Sequence, residues 1–191
     1  ASVDENGKVT AKAAGTAVIT ATSAAGKTAQ YKLTVKTPSV KLNASAKTLY
    51  VKGSPATVTL KATTAGVTGK VTYTSSKPSV VAVAANGKVT AKAAGTAVIT
   101  AKCGNYKATC KITVKKPSVK ASASAKTVFV GGTSQIKVKK TGVSGKVTYT
   151  SSDKKVATVT SKGVVKGVKK GTAVITVKCS GMTAKFKVTV K

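Results

Sequence analysis

Sixteen residues, NGKVTAKAAGTAVITA, occupy Asn6 to Ala21 and recur letter for letter at Asn86 to Ala101. A diverged third version, KGVVKGVKKGTAVITV, runs from Lys162 to Val177. No other feature constrains the fold as tightly, because an internal period fixes how large each folding unit can be. With Gly15, Gly95 and Gly171 in register, TAVIT aligns in all three copies, and the register extends both ways. GKVTYTSS at Gly69 to Ser76 recurs at Gly145 to Ser152, and PSVK at Pro38 to Lys41 recurs at Pro117 to Lys120. LTVK, ITVK and VTVK close the copies at Lys36, Lys115 and Lys191. The chain therefore divides into residues 1–36, 37–115 and 116–191, of which the first matches only the second half of a unit. Units this small bury a modest core.

Alternation sets the local structure. Ala97, Ile99, Ala101 and Cys103 share one face of a run, and Ala108, Cys110, Ile112 and Val114 alternate with Lys107, Thr109, Lys111, Thr113 and Lys115. Period two with β-branched residues predicts half-buried antiparallel strands. Strands are expected near residues 40–42, 48–51, 57–62, 71–75, 80–84, 89–91, 96–103 and 106–114, with glycine, proline and asparagine turns between them. No segment reads as a helix. Seven or eight short strands in about eighty residues predict an all-β fold of tandem β-sandwiches.

The run VTYTSSKPSVVAVAANGKVTAKAAGTAVITAKCGNYKATCKITV, Val71 to Val114, resembles the bacterial immunoglobulin-like domain of group 2. It has that family's V-x-[WY]-x-S-S-x-P-S-V start, N-G-x-V-T-A turn, A-G-x-A-x-I-T core strand and T-V-T-V finish. The likeness extends over essentially the whole chain. It implies that Tyr73 and Tyr149 fill the core position where relatives often carry tryptophan. It also implies an extracellular or cell-surface setting, since such modules are similar to those of bacterial surface proteins, adhesins, extracellular enzymes and phage structural proteins. The third unit departs from the pattern, with Asp153-Lys154-Lys155 for Lys77-Pro78-Ser79 and Lys162-Gly163 for Asn86-Gly87. Its turns are expected to differ and its strands to be kept.

Fold does not fix function, and the residues argue against catalysis. The chain has no histidine, and Asp4, Glu5 and Asp153 are its only acids, so neither a nucleophile–base pair nor a carboxylate pair is expected. Some relatives are implied to bind calcium, but a hard cation needs several oxygen ligands together, and three acids do not promise them. Cys103 and Cys110 lack both C-x-x-C spacing and histidine partners, so zinc is not expected either. No cofactor is expected. Gly163, Gly167 and Gly171 miss the spacing of a phosphate-binding loop and read as turn glycines. Asn43-Ala44-Ser45 has the form of a glycosylation sequon, which carries little weight in a chain that resembles bacterial proteins.

If Gly104-Asn105 is a two-residue hairpin turn, Cys103 faces Tyr106 and Cys110 faces Ile99. The two thiols then stand beyond the roughly 7 Å that a disulfide allows between Cα atoms, and both read as small buried residues. A wider loop would reverse that expectation.

Charge is the abnormal property. The chain carries 34 Lys+Arg against 3 acids, a formal net charge of +31, and every cation is lysine. A small domain ordinarily carries a net charge of magnitude roughly 2 to 8. Lysine on outward positions solvates sheet faces and guards edges, but that role does not require the near absence of acids. A field of one sign repels itself and concentrates polyanions. The candidate contacts are Lys137, Lys139 and Lys140 on one expected strand, Lys154 and Lys155, Lys169 and Lys170 in turns, and Lys185 and Lys187 on the last strand. Without arginine there is no bidentate phosphate or guanine recognition. The sparse aromatics, Tyr106 excepted, alternate inward and form no stacking platform. Nucleic-acid binding would then be sequence-independent and salt-sensitive.

Three readings follow. One is a structural or adhesive stalk of a bacterial surface protein that touches anionic wall or host glycan polymers. A second is a dedicated polyanion-binding module for teichoic acid, acidic glycan or nucleic acid. The third is a part of a bacteriophage virion or filament. No apolar run reaches membrane-spanning length, so no membrane insertion is expected. The half-unit 1–36 would expose a core on its own, which raises the expectation of upstream residues or of completion by another chain. Thr37-Pro38 and Lys116-Pro117 stiffen the joints, so neighbouring units are expected to pack as a semi-rigid, extended series.

Overall fold

The computed structural model describes residues 1–191 and consists of strands and turns with no helix. In the first segment β1 (Ser2–Val3) pairs with β2 (Val9–Thr10), and β3 (Gly15–Thr22) forms a hairpin with β4 (Thr28–Val35). The inward-facing residues of that hairpin find no opposing sheet, so Tyr31 is 66% exposed, whereas Cys110 at the same place in the next unit is buried.

The strands from Ser39 to Lys115 form a sandwich. Its strands are β5 (Ser39–Leu42), β6 (Ala46–Tyr50), β7 (Thr57–Thr59), β8 (Ala62–Ala65), β9 (Thr72–Ser75), β10 (Val81–Val83), β11 (Lys88–Ala91), β12 (Gly95–Cys103) and β13 (Tyr106–Lys115). One sheet has the order β6-β13-β12-β9; the other has the order β10-β11-β7, with the pair β5-β8 beside it. The first strand changes sheets, because β5 pairs antiparallel with β8 while β6 crosses over to pair parallel with β13. Between the sheets lie Leu49, Leu60, Val81, Val89, Ala97, Ile99, Cys110, Ile112 and Val114. These come from alternating inward positions of strands in both layers, as two facing amphipathic sheets require.

The strands from Ser118 to Val190 repeat the plan: β14 (Ser118–Ala123), β15 (Thr127–Val128), β16 (Thr133–Thr141), β17 (Thr148–Ser151), β18 (Ala157–Val159), β19 (Val164–Gly167), β20 (Gly171–Cys179) and β21 (Met182–Val190). The sheet orders are β14-β16-β19-β18 and β15-β21-β20-β17, and β15 again pairs parallel with the last strand. The core includes Val128, Ile136, Val165, Ile175, Val177 and Val188.

Two expectations are corrected. The single strand expected over 57–62 is broken at Leu60 and Lys61, and β8 follows as a separate element. The Tyr73 hydroxyl fills the break, donating to the Leu60 carbonyl and accepting from the Ala62 N–H, both at 3.1 Å. Its counterpart β16 runs unbroken for nine residues. The third unit therefore differs from the second in a strand. Its turns coincide: Gly163 N–H donates to Thr160 O at 3.0 Å as Gly87 N–H donates to Ala84 O at 2.9 Å, and the two glycines have φ of 76° and 78°. Asp153 O accepts from Ala157 N–H at 3.0 Å where Lys77 O accepts from Val81 N–H at 3.0 Å. Backbone geometry, more than residue identity, is what these turns share.

The cysteine register is as the two-residue turn requires, with Cys103 opposite Tyr106 and Cys110 opposite Ile99. All three cysteines are free and buried. Cys103 and Cys179 do equivalent work, since each Sγ–H reaches a carbonyl of the facing loop, Gly69 O at 3.3 Å and Gly145 O at 3.5 Å.

Candidate functional site

Strand alternation puts lysine outward wherever an apolar neighbour points in. In β16 the buried Ile136 and half-buried Val138 leave Lys137 and Lys139 exposed on one face. Cross-strand pairing with β14 then sets Lys120 opposite Lys139 and Ser122 opposite Lys137. The four side chains ring a shallow depression floored by Ala121 and Val138. On an antiparallel sheet, directly opposed residues have Cβ atoms about 5 Å apart, and like charges so placed destabilise the sheet. The second unit has another such pair, Lys102 opposite Lys107, at the tip of the β12–β13 hairpin.

The other candidate lysines fall elsewhere. Lys140 does not join Lys137 and Lys139; its Nζ donates to Gly145 O at 3.3 Å. Lys185 and Lys187 lie on β21, in the opposite sheet, facing Thr176 and Val174. Lys154 and Lys155 follow β17, while Lys169 and Lys170 precede β20. The backbone brings these two turns together, because Val168 and Lys169 N–H groups donate to Val156 O at 2.8 and 3.3 Å. The nine residues thus form one face patch, one pole cluster, a row on the other sheet and a lysine tied to a loop carbonyl.

The acids do not offset this charge by pairing with it. Asp4 Oδ1 accepts from the N–H groups of Asn6 at 3.1 Å and Lys8 at 2.8 Å, and Asp153 Oδ1 accepts from Lys155 N–H at 2.8 Å. Both carboxylates serve their own turns, as short acidic side chains commonly do. No three His, Cys, Asp or Glu side chains converge. The buried Cys110 thiol is pushed up in pKa by desolvation, an effect the Lys47 ammonium partly opposes, so it stays protonated and unreactive.

Sequence reasoning missed Lys120, Lys102 and Lys107 as members of opposed pairs. The Lys102–Lys107 pairing was readable, since a two-residue turn at Gly104-Asn105 dictates it. The Lys120–Lys139 pairing was not, because β14 and β16 are separated by β15, which belongs to the other sheet.

Two antiparallel layers, with a first strand that switches sheets to run parallel with the last, define an immunoglobulin-like domain. The family comparison makes that class specific. Residues 69–116 match the bacterial Ig-like domain, and residues 108–190 match the bacterial Ig-like domain of group 2, so the chain carries bacterial Ig-like domains. Among solved structures, the S-layer protein SbsC is similar over 98% of this chain in two structures. One, a crystal structure, has 22% identity and a TM-score of 0.51; the other, of domains 1–6, has 22% identity and a TM-score of 0.50. This chain spans 36% of the length of each, and likeness at that identity speaks to fold. No curated protein sequence matches significantly.

Proposed function

We propose that this chain is a non-enzymatic structural module of a bacterial extracellular or cell-surface protein, built as a series of Ig-like units that contacts anionic polymer. The division into a partial unit, 1–36, and complete units, 37–115 and 116–191, is part of this reading. Support for the surface role comes from the family match and from the resemblance to S-layer domains. The observation that carries the polymer contact is the opposition of Lys120 and Lys139, with Lys137 beside them, on a face that holds no acid. Folding gains nothing from that opposition. A phosphate- or sulfate-bearing polymer lying across β14 and β16 would neutralise all three ammonium groups.

Binding to wall teichoic acid, heparin and duplex DNA across a salt series tests the reading. The expected result is affinity that falls steeply with salt. Replacing Lys120, Lys137 and Lys139 together by Gln should weaken binding more than the same change at the exposed Lys8, Lys12 and Lys27. Equal losses would assign binding to the diffuse field of +31 instead of this face. Negligible binding of every polymer at physiological salt would discard the polymer contact and leave the structural role.

A further inference from the structure

The joint between the second and third units shows how one unit seats on the next. Tyr50, at the end of β6, lays its ring against Gly142, so closely that a methyl group on Gly142 would overlap the ring. Ser54 N–H donates to Gly142 O at 3.0 Å, and a methyl on Gly53 would come within 3.2 Å of Pro117 Cβ. The contact is an aromatic knob on one pole entering a socket on the other, made of a left-handed glycine (φ 61°) and a proline.

The third unit builds the same knob at its far pole. Val130 N–H donates to Lys191 O at 3.1 Å as Val51 N–H does to Lys115 O at 3.0 Å, and Gly132 N–H donates to Phe129 O at 2.9 Å as Gly53 N–H does to Tyr50 O at 3.2 Å. Gly131 (φ 81°) takes the left-handed place of Lys52 (φ 49°). The turn is therefore preformed, and Phe129 stands where Tyr50 stands. Yet Phe129 is 72% and Val130 53% exposed, whereas Tyr50 and Val51 are half-buried. Val168, 44% exposed, adds to the same pole, next to Gly167, whose carbonyl accepts from Gly131 N–H at 2.9 Å. The socket also recurs: Gly66 has the same φ of 61° as Gly142 and lies against Pro38.

We propose that the Phe129–Gly132 turn is the seat of a further tandem Ig-like unit. That unit docks by its N-terminal pole, with the Phe129 ring on a glycine equivalent to Gly142. Knob and socket are different surfaces, so the contact is head-to-tail and repeats along one axis. Lys120, Lys137 and Lys139 take no part in it, so the tests of charge and of docking can fail separately.

The chain has no tryptophan, so Phe129→Trp supplies a single indole probe. Its emission is compared in the chain as it stands and in the chain with a second copy of residues 116–191 fused after Lys191, which recreates the Lys-Lys-Pro joint. Tyr50→Trp, in the existing joint, is the reference. Extension should shift Phe129→Trp emission to the blue and lower its acrylamide quenching to the level of Tyr50→Trp. Gly142→Val in the added copy alone should reverse both. Unchanged emission on extension overturns the proposal. So does a concentration-dependent blue shift in the unextended chain, which would assign the surface to a second copy.

Discussion

The Tyr73 hydroxyl stands between the Leu60 carbonyl and the Ala62 N–H, 3.1 Å from each, and holds the two backbone groups that flank Lys61 at the break between β7 and β8. Removing the hydroxyl leaves two backbone groups without their partner. Tyr73→Phe should destabilise the second unit by about 1–3 kcal/mol, read from urea unfolding. Tyr149→Phe should cost less, because β16 is continuous and Gln135 Nε2 already donates to Ile136 O at 3.2 Å. Equal losses would show that the hydroxyl does not serve the break.

The repeated sixteen residues form an internal control for burial. Ile99 is fully buried between two sheets, whereas Ile19, at the same place in the identical segment, is only half covered. Ile99→Ala should cost about 2–5 kcal/mol through lost transfer energy and the cavity left behind. Ile19→Ala should stay near the ~0.5 kcal/mol typical of surface changes. Thermal or urea unfolding of the two variants decides it.

Gly7 and Gly87 separate backbone strain from steric overlap. Both have φ of 78°, but a methyl on Gly7 meets nothing within 4 Å, whereas one on Gly87 would overlap the Leu60 carbonyl oxygen and crowd the Tyr73 ring. Gly7→Ala should therefore cost about 1–2 kcal/mol, the price of a left-handed alanine. Gly87→Ala should cost clearly more, since Leu60 N–H also donates to Gly87 O and the overlap cannot relax without moving that bond. The comparison is read from the unfolding midpoints.

Cys110 gives a pH dependence with a defined sign. Its folded-state pKa lies above the ordinary value of 9.0 because burial disfavours the thiolate. The unfolded chain then loses this proton first, so the contribution of this thiol to stability is full below about pH 9 and is lost as pH rises through the folded pKa. Cys110→Ala should remove that component of the alkaline decline, measured as the difference between the two stability–pH curves. Identical slopes would contradict it.

Much of the fold was legible because it depends on local pattern. Alternation in residues 96–114 set the hairpin faces, and Gly104-Asn105 set the register that puts Cys110 opposite Ile99. The break at Leu60 was not legible, because residues 57–62 alternate smoothly and the groups that hold the break, the Tyr73 hydroxyl and the Asn43 side chain, come from outside this segment. The candidate lysines were readable as outward residues, but not as neighbours. Lys169 meets the Lys154–Lys155 turn only through Val156 O, a backbone group that no side-chain pattern marks. The seating of Tyr50 on Gly142 is likewise a contact between units, to which periodicity within a unit is blind.

The parallel pairing of the early strand with the last one has a mechanical consequence. It places the two ends of each unit at opposite poles, so tension along the series pulls β6 against β13, and β15 against β21, in shear. Bonds loaded in shear must yield together instead of unzipping one by one. The second unit aligns five residue pairs, Ala46–Tyr50 with Lys111–Lys115, whereas the third aligns two, Thr127 with Thr189 and Val128 with Val190. Stretched from its ends, the third unit should yield at the lower force, and the second should hold as the stronger link.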